Sequence, residues 1–214
     1  MSGRASPAPA GRRLLLVRHG RTAWNAEQRA QGHADVDLDD VGRAQAAAVA
    51  PYVASYRPAA LWSSDLARAR STAEPIGAAC GLAVKEDARL REYDLGERTG
   101  LTMPEYAAGF PDEYAAFRAG RYDVVPDGET TPQVLARVTA CLHDALDSVG
   151  PGETVAVVGH GACLKVTLIG LLGWPESAAA TLRALDNGAL AALEETHHHG
   201  TLRLTAYNLT AAGA

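Results

Sequence analysis

Short, wholly apolar runs alternate along the chain with longer stretches whose apolar residues recur at helical spacing. Leu14-Leu15-Leu16-Val17 is such a run, and it stops at Arg18-His19-Gly20. A run with no polar alternation suits a strand covered on both faces. The Ala-rich stretch 41–53 reads as a helix, with Pro58 beyond it. Residues 59–62 read as a second strand, ended by Ser63-Ser64-Asp65. These small polar residues suit the cap of a helix over 66–80. Gly81 closes that helix, and 82–84 is a third short strand. After a long interruption a helix runs over 131–149, Pro151-Gly152 turns the chain, and a strand over 154–158 stops at Gly159-His160-Gly161. Another helix reaches Leu172, and 189–193 with 202–207 form a closing pair of strands.

The interruption, residues 93–130, holds Gly96, Gly100, Pro104, Gly109, Pro111, Gly120, Pro126 and Gly128, with aromatics at Tyr106, Phe110, Tyr114, Phe117 and Tyr122. It reads as a partly helical cap inserted over a site, or equally as a plain surface excursion. The alternation elsewhere predicts an α/β fold. It is a three-layer α/β/α sandwich: a mostly parallel sheet with an antiparallel edge strand, plus the small helical cap. Residues 1–11, rich in Ala, Pro and Gly, read as a disordered lead, 12–210 as one domain, and 211–214 as a frayed end. A length of 214 residues suits that single domain.

Charge and cysteine usage narrow the partners. The formal net charge of −5 argues against a general nucleic-acid binder, which needs a basic face. It leaves room for a small anion held by a few arginines. No apolar run is long enough to span a bilayer, so no membrane partner is expected. Three cysteines, Cys80, Cys141 and Cys163, make an odd count without CxxC spacing. A disulfide framework or a cysteine zinc site is not expected, and a reducing cytoplasm fits. His197-His198-His199 lies between two predicted strands and reads as a polar hairpin loop rather than a metal site. Dimerisation through an edge strand stays open.

Two apolar strands, far apart in sequence, each end in His-Gly. In open α/β sheets ligands bind beyond the carboxyl ends of the strands. His19 and His160 then share a rim with Arg18, and with Arg68 from the first turn of the helix after the second strand. Two imidazoles and two guanidiniums around one point call for a polyanion, and phosphate suits Arg best. The chain has no GxxxxGK[ST] loop and no GxSxG elbow, and no cysteine is followed by a glycine-rich, arginine-ended loop. Histidine remains as nucleophile: a neutral imidazole can attack phosphorus in line while arginines stabilise the equatorial oxygens.

These residues sit in longer matches. Leu16-Val17-Arg18-His19-Gly20-Arg21-Thr22-Ala23-Trp24-Asn25 resembles the RHG signature of the histidine phosphatase superfamily, in its phosphoglycerate-mutase-like branch. Gln31-Gly32-His33-Ala34-Asp35, Ser63-Ser64-Asp65-Leu66-Ala67-Arg68-Ala69, Leu90-Arg91-Glu92-Tyr93-Asp94-Leu95-Gly96, Gly128-Glu129-Thr130 and Val157-Val158-Gly159-His160-Gly161 resemble its later segments, in order. The resemblance implies that His19 is the phosphorylated nucleophile, and that Arg18, Arg68 and His160 form the phosphate pocket, with a hydrogen bond from Asn25. It makes Glu92 the general acid, then the base that activates water. A carboxyl near a phosphate is pushed toward its protonated form, as a donor requires. His160 is expected to be a cationic or donating partner. Gln31, Gly32 and Gly161 are expected at the substrate, and Arg21, where many relatives carry Glu, Gln or Ser, either adds an anion contact or faces solvent. No metal ion or cofactor is implied.

Three activities fit this pattern. The first is a phosphatase of a small phosphate ester; the second is a cofactor-dependent phosphoglycerate mutase; the third is a non-catalytic phosphate binder. The acid segment lacks the His-Tyr that usually follows the glutamate in mutases, and Arg118 and Arg121 stand apart rather than paired. A pure binder is expected to have lost one of His19, Arg68, Glu92 or His160, and all four are present. Residues 90–102 most resemble phosphatases of sugar phosphates, those of glucosyl-3-phosphoglycerate among them.

Overall fold

The computed structural model describes residues 11–118, 125–196 and 201–211. Apart from Gly11 and Ala211, the expected disordered lead and frayed end lie outside the described residues, as does the His197-His198-His199 loop. Six strands, β1 (Arg13–Arg18), β2 (Ala60–Ser63), β3 (Val84–Glu86), β4 (Thr154–Gly159), β5 (Leu190–Glu195) and β6 (Leu202–Leu209), form one sheet in the order β3-β2-β4-β1-β5-β6. The first four run parallel. β5 runs against both β1 and the edge strand β6, so the reversed direction enters one place in from that edge.

Helices cover both faces, which is why the central strands are unbroken apolar runs. The α/β units supply α2 (Asp40–Ser55), α3 (Ala67–Cys80), α6 (Thr131–Asp147) and α7 (Gly161–Leu171). The short helix α1 (Ala23–Ala26) follows β1, and α4 (Met103–Gly109) and α5 (Pro111–Arg118) belong to the insertion. Leu14 and Leu16 of β1 and Val155 and Val157 of β4 pack with Val138 and Leu142 of α6 and Leu164 and Leu168 of α7. Their alternates, Leu15, Val17, Ala156 and Val158, pack with Val49 and Val53 of α2 and Ala69, Ala73 and Ile76 of α3. Each fully buried Leu or Val contributes about 1.5–3 kcal/mol, so the parallel centre of the sheet is its most strongly held part. The register pairs Arg18 with Gly159, and His19 N donates to Gly159 O at 3.0 Å. That register sets the two His-Gly turns side by side at the carboxyl ends of β1 and β4.

Two local expectations shift. The third strand begins at Val84, because Gly81 takes a left-handed φ of 67° and both Gly81 and Leu82 donate back to Gly77 O. Those residues finish α3 before the chain extends. Ser63-Ser64-Asp65 does not cap α3: Leu66 stands at the cap without a side-chain bond, and Asp35 Oδ1 from a distant loop accepts from Ala67 N at 2.6 Å. In the insertion, Tyr106 is buried against the rings of Phe110, Tyr114 and Phe117, at 5.9, 5.9 and 6.3 Å between centroids. This aromatic cluster holds α4 and α5 together.

Candidate active site

His19 occupies the turn that follows β1 and is 3% exposed. Its Nδ1 lies 2.7 Å from Gly20 O. A carbonyl oxygen only accepts, so Nδ1 carries the hydrogen and the lone pair is on Nε2. Burial, then the positive charges of Arg18 and Arg68, hold this imidazole well below its usual range and keep it neutral. The turn is braced by Asn187 Nδ2, which donates to His19 O at 3.1 Å and to Asn25 Oδ1 at 3.2 Å. Gly20 is needed for close approach: a Cβ there would stand 2.4 Å from Gly42 O.

Arg68, fully buried, donates through Nη1 to Ala34 O at 2.7 Å, through Nη2 to Gly32 O at 2.8 Å, and through Nε to His160 Nδ1 at 3.1 Å. A guanidinium only donates, so His160 Nδ1 bears a lone pair and the ring carries its hydrogen on Nε2. His160 is therefore neutral, and the cationic role expected for it is corrected; a donating role stands open through Nε2, which has no partner among the described residues. Burial comes first among the causes, followed by the charge of Arg68. The two imidazole centroids are 5.2 Å apart. Arg18 donates through Nη1 to Leu185 O at 2.6 Å, and its buried Nε has no partner among the described residues.

Glu92 comes from the segment after the short 3₁₀ turn Ala88–Leu90. Its carboxylate accepts from Ala162 N and Cys163 N, each at 2.8 Å, and from Tyr93 N at 3.0 Å. Ala162 and Cys163 are first-turn amides of α7, whose cap residue His160 makes no side-chain bond to them. Glu92 thus caps α7 from a distance, where the helix dipole favours an anion. Its backbone carbonyl is gripped from the other side by Arg137 Nη2 at 2.8 Å and His33 Nε2 at 2.9 Å. Arg137 also donates to Arg91 O at 2.7 Å and makes a two-pronged pair with Glu129 at 2.7 and 2.6 Å.

A cavity of about 300 Å³ opens over this rim, lined among others by Arg18, His19, Asn25, Gln31, Gly32, Arg68 and Glu92. Asn25 Oδ1 is committed to Thr22, in the capping box of α1, and to Asn187. That leaves its Nδ2 as the donor available to the cavity. Three of the residues expected at the substrate, Arg21, His160 and Gly161, are not among those that line the cavity. The guanidinium of Arg21 pairs with Asp39, the cap of α2, at 2.8 Å, which favours the second of its two readings. His160 is fully buried, with its ring beside that of His19. A Cβ on Gly161 would stand 3.1 Å from Arg18 Cζ, so this glycine makes room for the guanidinium. Arg137 and Asn187 were not singled out from the sequence; both act across long separations that no local pattern marks. Among the described residues, no three His, Cys, Asp or Glu side chains stand together as a metal site.

The chain is similar to known proteins over nearly all of this architecture. The family model of the histidine phosphatase superfamily (branch 1) matches residues 14–208. The chain is 42% identical over 156 residues to phosphoglycerate mutase-like protein 4 of Arabidopsis thaliana, covering 71% of this chain and 67% of that one. It is 35% identical over 184 residues to the glucosyl-3-phosphoglycerate phosphatase of Mycolicibacterium vanbaalenii, covering 83% of this chain and 82% of that one. A solved mycobacterial glucosyl-3-phosphoglycerate phosphatase in complex with VO3 superposes with a TM-score of 0.84 at 34% identity, covering 93% of this chain and all of that one.

Two outcomes follow from the geometry. His19 and His160 take up protons less readily folded than unfolded, and the unfolded value is about 6.5. Below that pH the unfolded chain holds more protons, so stability is full above about pH 6.5 and falls as the pH drops through it. Melting followed by circular dichroism from about pH 7.5 to 5 should show a declining Tm, and His160→Gln should flatten the decline. Arg137→Met frees the Glu92 carbonyl, so steady-state kinetics should show kcat lower by about 100-fold with KM little changed.

Proposed function

The chain belongs to branch 1 of the histidine phosphatase superfamily, and on that premise we propose that it hydrolyses a small phosphate monoester, a sugar or glycerate phosphate, through a phosphohistidine at His19. One observation carries the reading: a buried, neutral imidazole whose Nε2 lone pair is kept available by the Nδ1–Gly20 bond, in a cavity also lined by the guanidiniums of Arg18 and Arg68. Nε2 attacks phosphorus as the bond to the ester oxygen breaks, and Glu92 gives the departing oxygen its proton. Water then attacks phosphorus as the P–N bond breaks and its electron pair returns to Nε2; Glu92 takes that water's proton, and inorganic phosphate leaves. Arg18, Arg68, His160 Nε2–H and Asn25 Nδ2 are the donors for the non-bridging oxygens in both steps.

Guanidiniums fill the charge-stabilising part in this scheme, so turnover is expected to persist in EDTA. The named phosphatase relatives act on a glucosylated phosphoglycerate, which supports a sugar or glycerate ester as substrate. The mutase-like relative keeps a second reading alive, with the missing His-Tyr after Glu92 against it. Free Cys80, Cys141 and Cys163 suit a reducing cytoplasm.

A phosphate-release screen over sugar phosphates and phosphoglycerates, run in EDTA, tests the proposal. His19→Ala should lose release by about 10⁴-fold or more. Glu92→Gln should slow release from alkyl esters about 10²- to 10⁴-fold, whereas p-nitrophenyl phosphate, whose leaving group needs no proton, should still give a burst of p-nitrophenol before the second step, now without its base, limits turnover. Equal release by wild type and His19→Ala contradicts the reading. Interconversion of 2- and 3-phosphoglycerate faster than phosphate release would replace it with the mutase.

A further inference from the structure

The catalytic cavity is lined by more positive charge than a phosphate monoester can use. Five permanent cations line it, Arg18, Arg29, Arg68, Arg98 and Lys165, against the one carboxylate of Glu92. Arg29 is neutralised by Glu27 and Glu105, at 2.8 and 2.9 Å. Arg18 and Arg68 balance the two charges of a bound phosphoryl group. Arg98 and Lys165 remain, and neither forms an ion pair among the described residues. Once Glu92 carries the proton that it donates, no carboxylate among the described lining residues offsets them.

Arg98 is built in place rather than loose. Its guanidinium carbon lies 4.3 Å from the centroid of Phe117 and 5.1 Å from that of Tyr106, both in the cap. Tyr106 is itself buried in the aromatic cluster. Ring faces hold a guanidinium by cation–π attraction while its in-plane N–H donors stay available. Among the described residues the guanidinium of Arg98 donates to the weak acceptor Met103 Sδ at 3.9 Å. Burial without a carboxylate lowers the proton affinity of Arg98, and burial does the same for Lys165. Lys165 stands one turn into α7, the helix whose first amides hold Glu92. The two cations therefore approach the cavity from the cap and from the catalytic core.

We infer that Arg98 and Lys165 form a second anion subsite, which selects phosphate esters whose far end carries a carboxylate or a second phosphoryl group. This rests on the phosphatase reading and narrows it to a substrate class. A neutral-tailed ester binds through the phosphoryl pocket alone. An anionic tail adds charge-assisted bonds to a planar fork and an ammonium, and the cap carries part of the selection.

Kinetics on 3-phosphoglycerate, glucose 1,6-bisphosphate and glycerol 3-phosphate test it, with wild type, Arg98→Gln, Arg98→Lys, Lys165→Gln and His19→Ala. For wild type, kcat/KM should be higher on one or both anionic-tailed esters than on glycerol 3-phosphate; which of the two separates carboxylate from phosphoryl recognition. Arg98→Gln and Lys165→Gln should each lower that value by about 10- to 100-fold, chiefly through KM. Glycerol 3-phosphate turnover should hold, which also certifies folding, and Arg98→Lys should recover part of the loss. Should Arg98→Gln not fold, Lys165→Gln carries the test. No preference for an anionic tail, unchanged KM in both variants, or an equal fall on all three esters overturns the subsite. Phosphate release that survives His19→Ala overturns the phosphatase reading instead, so the two failures are distinct.

Discussion

Two guanidiniums, Arg68 fully buried and Arg18 partly so, have no ion pair among the described residues; such cations are costly to fold, and the site is organised around them. Arg68 is fully enclosed, and its three nitrogens donate to Gly32 O, Ala34 O and His160 Nδ1. Arg18 donates to Leu185 O and keeps a buried Nε without a partner among the described residues. Carbonyls and a neutral imidazole solvate these cations but do not neutralise them. The unbalanced field has two consequences. It helps hold both histidines neutral, and it makes a phosphoryl dianion the ligand that completes the site. The field that favours an anion in the cavity also keeps His19 unprotonated.

Position is supplied by backbone rather than by neighbouring side chains alone. Parallel pairing of β1 with β4 places both His-Gly turns at one end of the sheet. The amides that begin α7 lack a cap from His160 and take the carboxylate of Glu92. Those that begin α3 lack a cap from Leu66 and take Asp35, which lies beside the loop that Arg68 holds. Each unsatisfied helix end is thus closed by a residue from a distant segment, which fastens the segments bearing the site to the sheet. Arg137 completes the frame by holding the Glu92 carbonyl from α6.

Much of this was legible in the chain. Leu14–Val17 read as a buried strand because no polar residue interrupts it, and the sheet covers it on both faces. The two His-Gly pairs read as one rim because both end such runs. What failed to read was decided by partners far away in sequence. Arg21 stands two residues from His19, yet Asp39 takes its guanidinium out of the cavity. Gly161 follows His160, yet its missing side chain serves Arg18. The charge of His160 could not be assigned without the Arg68 bond to Nδ1. Arg137 sits within an ordinary helical pattern, and only the fold brings it to Glu92.

The proposed chemistry requires one tautomer of His19, with hydrogen on Nδ1 and the attacking pair on Nε2. Rapid quenching of the enzyme with ³²P-labelled substrate, followed by alkaline digestion and chromatography against the two phosphohistidine isomers, reads this directly. The account predicts an acid-labile label on His19 in the Nε2-phosphorylated isomer. Label on Nδ1, or turnover with no label on His19, would contradict it.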